Sequence, residues 1–166
     1  MTTIDIEDRE ELIERLEQTP LVVNDLVVDA SDEDLRKAGP GGSLGAVEIL
    51  SYLRDLEELF LDRIGLMVVE ENPRLERVED SLWPIERDYV NQEPLVMLHE
   101  FVELRGQTVQ MLLDLPIADW ERSGRHPSIG PVTIRRYVEN VVERDDEYVG
   151  QLRAVLGEPP PKPEDS

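Results

Sequence analysis

Apolar residues in this chain recur every three to four positions in four long blocks, and nowhere do they alternate in a sustained period of two. The first pattern lets an α-helix bury one stripe against a neighbour, whereas a half-buried strand needs the second. Four such blocks predict an all-α fold in which four helices pack as a bundle joined by long crossing loops.

The first block runs from about Ile6 to Val28, with Leu12, Leu16, Val23 and Leu26 or Val27 on one stripe. Pro20 lies inside it and is expected to kink or split the helix near Thr19, because proline removes a backbone donor and crowds the preceding turn. Ser31, followed by acidic residues to Asp34, reads as the cap of a short helical turn. Gly39 to Gly42 form a loop, with Ser43 expected to cap a second helix from about Leu44 to Glu70. A third helix is expected from Pro94 to Leu115 and a fourth from Thr133 to Leu156, stopped by Gly157.

Two connections exceed what a plain turn requires. Residues 72–93 contain Pro73 and Pro84, and the natural anchors are Trp83 and Tyr89; residues 119–132 hold Trp120. Long connections in a small domain are usually packed down or functional. Leu16, Leu50, Phe60, Leu112, Val138 and Leu152 are the expected core. Residues 1–157 therefore read as one domain, and residues 158–166 as a disordered, proline-rich acidic tail.

A chain of 166 residues is long enough to bury a self-sufficient core. It contains no cysteine, which removes disulfides, thiolate ligands and thiol nucleophiles together and fits a reducing, cytoplasmic setting. The net charge of −21 repels phosphate backbones, which argues against nucleic-acid binding. No apolar stretch is long enough for a membrane span, and the first residues lack the apolar segment of a secretory signal. Ser-His-Asp and Cys-His arrangements, phosphate-cradling loops and dinucleotide fingerprints are all missing.

The block Ser43-Leu-Gly-Ala-Val-Glu-Ile-Leu-Ser-Tyr-Leu-Arg-Asp-Leu-Glu57 resembles the second-helix opening of the DinB-like (DinB/YfiT-like) proteins, typically Trp-Ser-x-x-Glu-x-Leu-x-His-Leu-x-Asp. The loop from Asp119 through Trp120, His126 and Pro131 to Arg135 is similar to the one that precedes their fourth helix. The resemblance covers about residues 5–156 and implies a four-helix bundle with a divalent metal at its open end. That metal is commonly held by three histidines, one from the second helix and two, four residues apart, from the fourth. Relatives include thiol-dependent S-transferases and isomerases.

Laid on this chain, the family's ligand positions fall at Tyr52, Arg144 and Tyr148. None is histidine. A phenol with a pKa near 10 is a poor ligand at neutral pH, and arginine offers no usable lone pair and repels a cation. No metal and no other cofactor is therefore expected. Elsewhere His99 reads as a surface or core-edge residue and His126 as a turn-bonding one, while Glu143, Asp145, Asp146 and Glu147 read as a solvated helix face.

Glu48, Tyr52 and Asp55 share one face of the second helix, and Arg144 and Tyr148 share one face of the fourth. Two arrangements remain open for these five residues. In one they form a pocket where Arg144 holds a small anionic ligand and the phenols orient it. In the simpler one Glu48 or Asp55 pairs with Arg144, and the tyrosines plug the vacated metal cavity. The expectation is a small-molecule binding or scaffold module with a degenerate metal site, able to dimerise through apolar helix faces. The alternative is a thiol-dependent S-transferase or hydrolase working through a non-standard site.

Overall fold

Four long helices account for most of residues 4–157, the part of the chain that the computed structural model describes. They are α1 (Ile6–Val28), α3 (Ala46–Val69), α5 (Pro94–Asp114) and α6 (Ile134–Leu156). Two short helices, α2 (Asp32–Arg36) and α4 (Trp83–Glu86), lie in the connections. A hairpin of β1 (Ser123–His126) and β2 (Gly130–Thr133) precedes α6. The tail expected to be disordered lies outside the described residues.

Helices α1 and α3 each pack against both α5 and α6, so the consecutive pairs α1/α3 and α5/α6 sit across the diagonals of the bundle. A chain that steps to a diagonal position must cross an end of the bundle, and this explains the long connections. Leu16, Leu50, Phe60, Leu112, Val138 and Leu152 are all buried in the core, as the periodicity predicts. Trp83, Tyr89 and Trp120 are buried as well and pin the two connections. No helix among the described residues is long and apolar enough to cross a membrane.

Pro20 neither breaks nor splits α1, which runs unbroken from Ile6 to Val28. The physical reason lies on another helix. Proline at position 20 leaves the Leu16 carbonyl without its helical N–H donor. Arg105 of α5 supplies one, donating from Nη1 to that carbonyl at 2.8 Å.

The same guanidinium binds Asp145 of α6 through both nitrogens, at 2.8 and 3.0 Å, and Glu57 of α3 at 2.9 Å. Thr19 of α1 donates to Asp145 at 2.8 Å. Arg105 thus ties all four long helices together, at 2% exposure with both carboxylates as deeply buried. Burial alone would lower its pKa, but the charges of Glu57 and Asp145 outweigh burial and raise it. Asp145 is therefore a core residue, not part of the solvated acidic face expected from its neighbours.

Two boundaries also differ from expectation. Ser43 does not cap α3; its hydroxyl donates to the Pro40 carbonyl at 2.7 Å, and the helix begins after Gly45. Gly45 is needed there because a Cβ would stand 2.3 Å from the Lys37 carbonyl oxygen. The loop before α6, expected to lack strands, forms the two-stranded hairpin with Ser123 opposite Thr133 and His126 opposite Gly130. Segments of four residues are too short to show a period of two.

Candidate functional site

Tyr52 on α3 and Tyr148 on α6 meet, their rings stacked with centroids 6.1 Å apart. Tyr52 also makes an edge contact with Tyr89 at 5.1 Å and a tilted one with Trp83 at 6.4 Å. Its hydroxyl donates to the Asp80 carbonyl at 2.9 Å. The connection between α3 and α5 thus folds its two aromatic anchors onto the position where the family resemblance puts a first metal ligand. Burial, and then the neighbouring Tyr148, Asp80 and Glu48, raise the Tyr52 pKa. Burial does the same to Tyr148, against an opposing effect of Arg144.

This donor set does not fit a divalent metal. Both phenols are held further from ionisation than free tyrosine, and Arg144 has no lone pair to give. Among the described residues no three His, Asp or Glu side chains come together as a metal-binding group. His99 is a surface residue with Nε2 3.2 Å from Glu103.

The expected pairing of Arg144 with Glu48 or Asp55 does not occur. Glu48 accepts the Gly45 N–H at 3.1 Å and so caps its own helix. Asp55 accepts from Arg54 at 2.9 Å and Tyr89 at 2.5 Å, and forms an ion pair with Arg87 at 3.0 Å. With its oxygens already taken by two guanidiniums and a phenol, Asp55 has little left to offer Arg144. The five residues singled out in the sequence therefore divide. Tyr52 and Tyr148 stack and Arg144 acts on Tyr148 from the adjoining cleft, while Glu48 caps α3 and Asp55 is held by Arg54, Arg87 and Tyr89.

Arg144 instead lines a cleft of about 330 Å³ beside the phenols. Arg63, Arg77, His126, Tyr137 and Asn140 share its walls, with Asp80 the one carboxylate. The hairpin delivers His126, and residues 73–80 are held against the hairpin by Leu75 N–H to Arg125 O at 2.9 Å and Arg125 N–H to Pro73 O at 2.8 Å. Arg77 reaches Glu79 at 3.7 Å on the rim. Neither Arg63 nor Arg144 has a carboxylate within ion-pair distance among the described residues. Arg63 is 8% exposed and donates to Tyr137 Oη at 3.0 Å and to the Glu76 carbonyl at 2.6 Å. In a chain of net charge −21 the cleft thus holds two arginines, Arg63 and Arg144, without a carboxylate partner among the described residues.

Arg63, Arg77 and Asn140 escaped the sequence reading, yet Arg63 carried a signal. It continues the stripe Tyr52, Leu56, Leu59 on α3 at helical spacing, where an apolar residue would be the norm. Arg77 and Asn140 carried no signal of this kind.

No protein-family model matches the chain. It is 26% identical over 128 residues to a protein of Oceanobacillus iheyensis named as a putative metal-dependent hydrolase, a match that covers 77% of this chain and 74% of that one. Its fold is similar to that of YfiT from Bacillus subtilis, described as a probable metal-dependent hydrolase with an unusual four-helix bundle topology. The TM-score is 0.85 at 20% identity, over 93% of this chain and 89% of YfiT. A fold shared along nearly the whole length, and a sequence match over three quarters of it, show that this chain has the four-helix bundle fold of YfiT and support its resemblance to the DinB/YfiT-like proteins.

Proposed function

We propose that this protein is a small-molecule binding module that works without the family's divalent metal and takes a small anionic ligand in the cleft beside Tyr52 and Tyr148. The observation that carries this reading is the stack of the two phenols at the family's ligand positions, with Tyr52 already bonded to the Asp80 carbonyl. Arg144, the third of those positions, lines the adjoining cleft and has no carboxylate partner there. A guanidinium presents a planar fork of donors that suits carboxylate or phosphate oxygens.

A second reading, a metal-dependent hydrolase, is favoured by the names of the two relatives. Melting curves separate the two. A ligand that binds only the folded chain adds about 2.7 kcal/mol at 100 times its dissociation constant. The binding-module reading expects no stabilisation by zinc, nickel or iron, and stabilisation by small organic anions that weakens in Arg144→Gln. Stabilisation by a metal that chelator reverses, with none from anions, would support the hydrolase instead.

A further inference from the structure

The hydrogen-bonding pattern of His126 reveals more about the cleft than its charge does. Nδ1 lies 3.1 Å from the Ser128 backbone nitrogen and 3.4 Å from that of Ile129. Both are N–H donors, so Nδ1 accepts and the ring hydrogen sits on Nε2. That nitrogen faces Arg63 Nη1 at 3.3 Å. Two donors thus point toward one another with no acceptor between them. Burial, and secondarily the charge of Arg63, lower the His126 pKa and keep the ring neutral at pH 7.

Two further donors line the same cleft. Tyr137 accepts its bond from Arg63, and its own hydroxyl hydrogen has no acceptor among the described residues. Asn140 follows Tyr137 by about one turn of α6 and lines the same cleft. Arg63 donates to a carbonyl and a phenol and faces a neutral imidazole, so a nearly buried positive charge is left without a counter-ion. Leu56, Leu59, Val78 and Ile129 form the apolar remainder of the walls.

We infer that Arg63 and His126 anchor the oxyanion head of a small molecule, a carboxylate or a phosphoryl group, whose apolar body rests on Leu56, Leu59 and Ile129. The inference rests on the anion-binding reading above and moves the principal contact from Arg144 to Arg63 and His126. An oxygen between Arg63 Nη1 and His126 Nε2 accepts from both and supplies the missing negative charge. The cleft volume lies at the lower end of the range for small-molecule sites, which limits the body to about one ring or a short chain.

The test uses the full-length protein and two probes, benzoate and phenyl phosphate, titrated by calorimetry at pH 7.5 and low salt. One probe should bind one-to-one, at least tenfold more weakly to Arg63→Gln and to His126→Ala. The stronger probe identifies the head group. In the unmodified protein, nitrogen-15 NMR should show the Nε2 resonance of His126 shifting with the probe while that of His99, the other histidine, stays fixed. The NMR result and His126→Ala decide the matter if Arg63→Gln fails to fold. Binding that is lost in Arg144→Gln but unchanged in the other two variants overturns the anchor and leaves the anion reading standing. Failure of both probes to bind or to move His126 also overturns the anchor. Stoichiometric metal in the purified protein overturns the reading beneath it.

Discussion

Replacing Arg105 by methionine should bring the fold close to unfolding. The side chain is nearly the same length, so packing changes little, but Glu57 and Asp145 are left buried with no cation. Breaking a buried ion pair by removing one partner costs about 3–5 kcal/mol. The Leu16 carbonyl loses its donor as well, and an orphaned buried acceptor adds about 1–3 kcal/mol. Against a total stability of about 5–15 kcal/mol, the combined loss of about 4–8 kcal/mol is at least a quarter of it and at most all of it. Urea unfolding followed by circular dichroism at pH 7 measures the loss. A double-mutant cycle then tests the link to proline. Pro20→Ala returns an N–H opposite Leu16, so it should recover about 1 kcal/mol more in the Arg105→Met background than in the parent. A loss below about 1 kcal/mol on Arg105→Met, or no coupling to position 20, would refute the strut.

Three other outcomes follow from the same geometry. Tyr52, Tyr89 and Tyr148 all have raised pKa values, in each case chiefly through burial. The unfolded chain therefore releases phenol protons first, near pH 10, so stability is complete below that pH and falls as pH rises through and above it. A titration in which Tyr52, Tyr89 and Tyr148 ionise at about pH 10 in the folded protein would contradict this. Trp120→Ala should cost about 3–5 kcal/mol, because it empties a fully buried site beneath the hairpin, and a melting temperature within a degree of the parent's would argue otherwise. The triple change Tyr52→His, Arg144→His, Tyr148→His should create weak zinc or nickel affinity measurable by calorimetry, limited by missing partners for the imidazoles; a folded triple variant with no affinity would mean the three positions do not converge.

The helical frame was legible because each long helix carries an unambiguous apolar stripe, and the core leucines fall where that stripe puts them. Charged residues set within those stripes were harder to read. Glu57, Arg63, Arg105 and Asp145 each occupy a position where the helical period calls for an apolar side chain. Asp145 reads as solvated beside its acidic neighbours in sequence, and none of the four reveals which others it will meet, because their partners lie on other helices. Pro20 shows the same limit: local rules predict a kink or a split, yet α1 is a single helix in which a donor 89 positions along the chain satisfies the Leu16 carbonyl. At the site, the family's spacing correctly brought Tyr52 toward Tyr148, while the Asp55–Arg144 pairing failed because Arg54, Arg87 and Tyr89 reach Asp55 first.

Whether phenols have taken over the position where the family holds a metal is decided most directly by elemental analysis of protein purified without chelator, followed by zinc titration of the same sample. Well under one equivalent of zinc, nickel or iron per chain is expected, with no saturable zinc binding at micromolar concentration. One tightly held metal per chain, lost on Tyr52→Phe or Tyr148→Phe, would contradict the replacement.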